Sequence, residues 1–508
     1  MEYNGSQFDF TDIKWFRRLA IFNMMIKKVG LCAAVALLSS MAFAASAATS
    51  DELKLPNLGE SSTSLFSADF EHQLGRAWLR IFRNQVSTMD DPLLYEYLED
   101  LIYRLVIHSQ LEDRRIELVV VDNPTINAFA VPGGVLGIHN GLMVHAQTED
   151  ELATVLSHEL AHLSQRHFSR GVEFQKNQRP LNLAAMLAGF ILMATAGGDA
   201  GMAALSAAQA AAQDSALRYS RGNEQEADRV GMLTLVEAGM DPHAAPVMFE
   251  RMLQASRYFG SDRIPEFMRT HPLSESRIAD ARNRAREYPK QIRPTKLDYQ
   301  LMRARVINSL AKTPEEAIQR FRGDLSGAPR SRKASRYGLV LALTDAGRTD
   351  EASLELDSIW SVNPTKLEYI IADAEVDMAR NRPELAAKKL AAELKLSPGN
   401  HPLTMTYATA LMENQQSHIA AEVLVEHSKK KPNDPALWYL LAEIQGLSGN
   451  IVGLHQARAE YFMLVGVLDQ AEKQLTYALK LTGNDYLTTA KINHRLQNIA
   501  TLREQMEM

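Results

Sequence analysis

The chain carries one cysteine in 508 residues, Cys32. A single thiol excludes an internal disulfide framework and a cysteine-built zinc cage. Net charge is also scarce: 55 basic residues against 61 acidic ones leave a formal −6. So mild a balance excludes the basic footprint of a nucleic-acid binder, and no nucleic-acid partner is expected. Long apolar runs are missing too. The stretch 181–196 is nearly all apolar, but its sixteen residues fall short of the roughly 20 a bilayer requires. With 46% hydrophobic and 23% charged residues, the chain is neither disordered throughout, nor collagen-like, nor a multi-span membrane protein. Its length implies two to four domains.

What is present begins with an export signal. Lys27 and Lys28 precede an apolar run at 29–43, and Ala42-Phe43-Ala44 and Ala45-Ser46-Ala47 offer small-x-small cleavage sites. This is the layout of a secretory signal peptide, read at 1–47. Glu2, Asp9 and Asp12 do not belong in a signal, so 1–24 reads as lying upstream of a true start at Met24 or Met25. Cys32 sits inside the apolar region rather than at its end, which argues against a lipid anchor. A leader at 48–65 follows.

From 66 to 290 the pattern is mixed. Residues 66–86 and 93–108 place apolar side chains at three- and four-residue steps, predicting amphipathic helices. Strands are expected at 115–121, 126–131 and 135–139, the last two around Pro132-Gly133-Gly134. A helix is predicted over 149–167, with Thr148 as cap and Glu149, Asp150 and Glu151 at the positive end of its dipole. From 297 to 508 the sequence is helical and periodic. Ala317, Ala352, Ala386 and Ala420 recur at steps of 35, 34 and 34, and Pro329, Pro364, Pro398 and Pro432 follow the same steps. Phe321, Leu356, Leu390 and Leu424 lie four residues after the alanines. A 34-residue period with small residues at helix crossings and a terminal proline is similar to the tetratricopeptide repeat. Gly449 and Gly466 are only 17 apart, so the register slips by half a repeat and one helix is expected to be shared. The expected fold class is therefore α+β and mostly helical. A mixed domain with a small β element at 66–290 precedes an all-α repeat solenoid at 297–508, of the kind whose concave face binds protein partners.

The chemistry is concentrated in His158-Glu159-Leu160-Ala161-His162. Positions i and i+4 share a helix face, so both histidines can reach one ion. Imidazole suits Zn²⁺, and a catalytic site takes three protein ligands with water in the fourth position. Glu159 lies beside that water as general base. The third ligand must come from elsewhere. Glu224 and Asp228 are four apart on a predicted helix, while Glu226 points away and ranks below Glu224.

These motifs resemble the M48 zinc metallopeptidases, in which a Glu-x-x-x-Asp segment follows His-Glu-x-x-His, and the resemblance implies a zincin-like fold for 66–290. The resemblance implies one Zn²⁺ per subunit, with Glu224 as third ligand and Asp228 orienting a ligand imidazole. Residues 127–134 resemble the family's strand beside the cleft; Asn127, Ala128 and Phe129 are the candidate substrate contacts there, an exposed strand edge that would hold an extended chain by backbone hydrogen bonds, and an ordinary hairpin is an equal reading. Residues 270–277 resemble a downstream family motif. His271 could enter the water position and hold the site latent, orient the transition state, or cap a helix. Arg277 could meet a substrate carbonyl or a buried carboxylate. His139, His145 and His167 receive no role. The segment 181–212 reads as a hairpin that covers the cleft, touches the membrane or a nonpolar client, or simply fills the core.

An export signal, an M48-like domain and C-terminal repeats together are similar to a periplasmic branch of this family in Gram-negative bacteria. That resemblance implies degradation of misassembled outer-membrane β-barrel proteins and help to their assembly. The repeats would dock clients or the β-barrel assembly machinery. A second reading is a chaperone-like scaffold with a latent zinc site. A third, a zinc amidase of cell-wall peptides, is disfavoured by the 127–134 and 224–228 segments.

Overall fold

The computed structural model describes residues 67–176, 213–259, 266–290 and 293–507. The signal peptide, the leader at 48–65 and the hairpin read at 181–212 lie outside these residues.

Two capped helices open the fold. Helix α1 (Ala68–Gln85) starts at Ser67, whose side chain accepts from the Phe70 amide, and buries Leu74, Trp78, Leu79 and Phe82. Helix α2 (Pro92–Val106) is capped by Asp91 and buries Leu94, Leu98, Leu101 and Leu105. The sheet has three strands, β1 (Glu117–Val121), β2 (Ala128–Val131) and β3 (Val135–His139), in the order β1-β3-β2. β1 runs parallel to β3 with Glu117 opposite Val135, and β2 runs antiparallel to it with Phe129 opposite Gly137. The β2–β3 turn requires glycine: Gly133 and Gly134 have φ of 82° and 78°, and a Cβ at Gly133 would stand 2.1 Å from the Glu71 carbonyl oxygen of α1.

Helices α3 (Asn140–His145) and α4 (Glu149–Ser164) follow. Thr148 accepts from the Glu151 amide, and α4 is buried on nearly every side through its first three turns. The reading of one helix to residue 167 is corrected: α4 stops at Ser164 because Arg166 takes a left-handed backbone, φ 51°, held by its ion pair with Glu71 at 2.6 Å. Helix α5 (His167–Lys176) starts afresh. Helix α6 (Gln213–Glu237) packs along α4. At Gly231 the approach is so close that a Cβ would lie 3.0 Å from both the His158 amide nitrogen and the Ser157 carbonyl oxygen. Helices α7 (Ala244–Phe259), α8 (Glu266–Thr270) and α9 (Glu275–Ala285) complete this part.

The repeats are helix pairs: α10 (Leu297–Ser309) with α11 (Pro314–Ser326), α12 (Arg332–Asp345) with α13 (Thr349–Trp360), α14 (Leu367–Ala379) with α15 (Pro383–Leu396), and α16 (His401–Glu413) with α17 (Ser417–Ser428). Ala317, Ala352, Ala386 and Ala420 are all buried at the crossings. Gly347, Asn381, Gln415 and Gly466, five residues before Ala352, Ala386, Ala420 and Ala471, have φ between 57° and 72° and reverse the chain within each pair. Helix α19 (Ile451–Leu464) packs against both α18 (Pro435–Leu447) and α20 (Leu468–Leu481), so the half-repeat slip is one helix serving two pairs. Helix α21 (Tyr486–Glu507) ends the array and returns to α1.

The repeats share one continuous core with the first part, running from Leu94 through Tyr299 to Leu441. Their first helix takes up carbonyls that the end of α3 leaves open. Tyr299 donates to the Ala146 oxygen at 2.7 Å, Gln300 to that of Gln147 at 2.7 Å and Arg303 to that of Val144 at 2.8 Å. Arg305 pairs with Asp91 at 2.7 Å.

Gly231 is the tightest constraint on how α4 and α6 meet. Replacing it with valine forces the two backbones apart and is expected to destabilise the chain by about 1–3 kcal/mol, read by denaturant unfolding. An unchanged midpoint would show that the contact tolerates a side chain.

Candidate metal centre

One turn of α4 sets His158 and His162 side by side, with Nε2 atoms 3.1 Å apart. Across the Gly231 contact, α6 brings Glu224 to within 3.5 Å of His158 Nε2 and 3.4 Å of His162 Nε2. The fourth member is His271, just past α8. Its Nδ1 lies 3.3 Å from His158 Nε2 and 3.1 Å from Glu224 Oε1. Its ring stacks on Phe267 at 4.7 Å, and its amide donates to the Phe267 carbonyl at 2.7 Å. These four side chains form a single His/His/Glu/His group able to hold a metal ion among the described residues.

The donor set fits a metal. Metal–nitrogen bonds of about 2.0–2.1 Å in a tetrahedron give edges of about 3.3 Å, and five of the six edges, with both Glu224 oxygens serving, run from 3.1 to 3.5 Å. Glu159 is 1% exposed, and its Oε1 makes no hydrogen bond among the described residues, although it stands 3.5 Å from His271 Nε2. A buried carboxylate oxygen with nothing to accept from is placed to receive a proton from a bound water or substrate.

A second tier of contacts holds the first. Asp228 Oδ1 lies 3.0 Å from His158 Nδ1. Arg277 forks onto Asp228 at 2.7 and 2.8 Å, and reaches Glu224 at 2.9 Å and the Pro272 carbonyl at 2.9 Å. Of its two readings, the buried-carboxylate partner is what the structure shows. His167 and Glu226, which the motif analysis passed over, also join: His167 Nδ1 lies 2.9 Å from His162 Nδ1, and His167 Nε2 lies 3.0 Å from Glu226 Oε2. The signal for them was the acidic alternation 224, 226, 228 and a third histidine five residues past the second.

The residues read as substrate contacts divide differently. β2 is a sheet edge among the described residues. The His139 amide donates to the Asn127 carbonyl, so strict alternation turns the main chain of Asn127 and Phe129 toward β3, and that of Ala128 and Ala130 outward. The Ala130 amide is bonded to the Glu159 carboxylate. Asn127 and Ala128 are buried, and the Phe129 ring covers Gly137. Pairing register thus turns the main chain of Ala128 and Ala130 away from β3, with Ala128 buried and the Ala130 amide taken up by Glu159.

Electrostatics sort the protons. Burial pushes the Glu159 carboxyl up, with His271 and His158 opposing it. Burial pushes His162 down to about 3, leaving it neutral. For His158 burial is outweighed by Asp228 and Glu224, and its pKa is pushed up to about 9. Asp228 is held below the usual carboxylate range, because hydrogen bonds from Arg277 and His158 outweigh its burial.

A buried two-histidine, one-glutamate donor set on crossed helices, with a carboxylate beside it, defines a metallopeptidase. The chain belongs to peptidase family M48. Residues 92–285 match that family directly. Over 469 residues the chain is 33% identical to the beta-barrel assembly-enhancing protease of Escherichia coli K12, covering 92% of this chain and 94% of that one. It is 34% identical over 460 residues to the putative beta-barrel assembly-enhancing protease of Vibrio cholerae, covering 90% and 94%. It is also 30% identical over 226 residues to the mitochondrial metalloendopeptidase OMA1 of Schizosaccharomyces pombe, covering 42% and 60%. Among solved structures it is similar to a tetratricopeptide repeat protein from Parabacteroides merdae, at 12% identity and a TM-score of 0.27, covering 51% of this chain and 99% of that one.

The proton on His158 yields a test. A metal requires the neutral ring, so below about pH 9 binding must expel that proton, and affinity rises as pH rises through neutrality. Loading the metal-free chain at pH 7 in weak buffer is expected to release about one proton per ion from this ring. No release would contradict the charge assigned to His158.

Proposed function

We propose that the chain is a zinc endopeptidase of the periplasm that degrades misassembled outer-membrane β-barrel proteins and assists their assembly, its repeats docking clients or the assembly machinery. The carrying observation is the donor group of His158, His162 and Glu224 at tetrahedral spacing with Glu159 beside it. Imidazole nitrogen with carboxylate oxygen, and no thiolate, is a donor set suited to zinc in a hydrolytic site. The location and clients rest on the extent of the likeness to the beta-barrel assembly-enhancing proteases and on the export signal read in the sequence.

Zinc, one per subunit, would be held by His158, His162 and Glu224, and supplies Lewis acidity toward a peptide carbonyl and an attacking water. Glu159 takes the proton of that water and passes it to the leaving amine. Its raised pKa suits both transfers. The β2 edge, whose Ala130 amide meets Glu159, would lie beside an extended substrate. Asp228 orients His158, and Arg277 keeps both buried carboxylates compensated.

The placement of His271 favours a latent resting state. Its Nδ1 takes the place in the donor group that a substrate or water needs, which makes the site closed, like a structural one. His271 must leave before hydrolysis begins.

Glu159→Gln is expected to keep zinc and lose cleavage of an unfolded barrel protein by about 10²–10⁴-fold. Full activity with zinc retained would sink the base assignment. His271→Ala is expected to raise cleavage; lower cleavage would make His271 a participant in the reaction instead.

A further inference from the structure

Resting on the zinc reading, we propose that His167 and Glu226 are positioning residues for the metal. The Glu226 carboxylate, acting through His167, fixes the tautomer and orientation of His162.

α4 stops at Ser164, and left-handed Arg166 reverses the backbone. His167, first residue of α5, is thereby folded back beside His162, with ring centroids 4.8 Å apart and planes at 77°. The two Nδ1 atoms are 2.9 Å apart, so one must donate and the other accept. Which one is decided at the far end. His167 Nε2 lies 3.0 Å from Glu226 Oε2, and an ionised carboxylate only accepts. His167 therefore carries its proton on Nε2 and leaves Nδ1 bare. His162 must then carry its proton on Nδ1. That leaves the lone pair of His162 Nε2 facing His158 and Glu224. The other tautomer would aim an N–H into the donor group and block an ion.

Arg170 secures the chain's outer end, with Nη1 3.0 Å from the same Glu226 oxygen. His167 is buried, while the Glu226 side chain is 36% exposed. The two ligand histidines are thus served differently: His158 meets Asp228 directly, and His162 meets its carboxylate through a second imidazole. Helix α6 supplies all three acids. Glu224 faces the ion position, Glu226 orders one histidine and Asp228 the other. Such outer partners are worth about 10–100-fold in metal affinity.

The test is zinc affinity of the full chain, measured by competition with a chromophoric chelator, beside thermal unfolding of the metal-free forms. His167→Ala is expected to weaken zinc about 10–100-fold. In His167→Asn the amide oxygen can stand where Nδ1 stood, so most of the affinity returns. Glu226→Lys presents a donor where an acceptor was, reverses the polarity, and weakens zinc comparably from a partly exposed position. With cobalt in place of zinc, His167→Ala shifts the visible bands of the bound ion and His167→Asn restores them. Metal-free melting temperatures do not follow this order. Wild-type affinity in His167→Ala overturns the proposal, as does an equal loss in the alanine and asparagine variants or a loss that tracks melting temperature. If His167→Ala does not fold, wild-type affinity in Glu226→Lys overturns it. Failure of the unaltered chain to bind zinc would defeat the zinc reading instead.

Discussion

The close contact of α4 with α6 is the constraint on which the rest depends. At Gly231 the two backbones approach so closely that a Cβ would lie 3.0 Å from the facing chain, and this sets Glu224 and Asp228 against His158 and His162. Buried carboxylates are costly unless each is compensated, and removing one partner of such a group destabilises by roughly 3–5 kcal/mol. Here one guanidinium, Arg277, bridges both acids, and the imidazoles supply the remaining contacts. The group is a closed set of charges and donors, which is why it can hold an arrangement suited to an ion.

The same economy governs the larger architecture. Repeats joined by a flexible linker would search space independently. These do not, because α10 takes up carbonyls at the end of α3 and the apolar core runs unbroken from one part into the other. In the proposed function, a client docked on the repeats would therefore be held at a set distance from α4. Outside the donor group and Glu159, His271 is anchored only by a ring stack and one amide bond among the contacts described above, next to a five-residue helix. In the proposed function this is the element that must yield, while α4, α6 and α10 stay in place.

Much of this was legible in the sequence. Period-34 alanines and prolines announce repeated helix crossings because a small side chain lets helices approach there. The i, i+4 histidines on an apolar helix announce a shared face. What escaped depended on reversals of the chain. Arg166 looks like any helical arginine, yet its left-handed backbone ends α4 and carries His167 back to His162. Glu226 projects away from Glu224, so it seemed remote, but α5 lies on that side to receive it. The outward main chain of β2 at Ala128 and Ala130 follows from pairing register, which no single strand reveals.

In the proposed resting state His271 fills the fourth position of a zinc centre beside His158, His162 and Glu224. X-ray absorption at the zinc edge of the loaded chain tests it directly, because imidazole rings give a countable outer-shell signal. Three histidines per zinc are predicted for the unaltered chain and two for His271→Ala. The same count in both proteins, or zinc with no histidine signal, would contradict it.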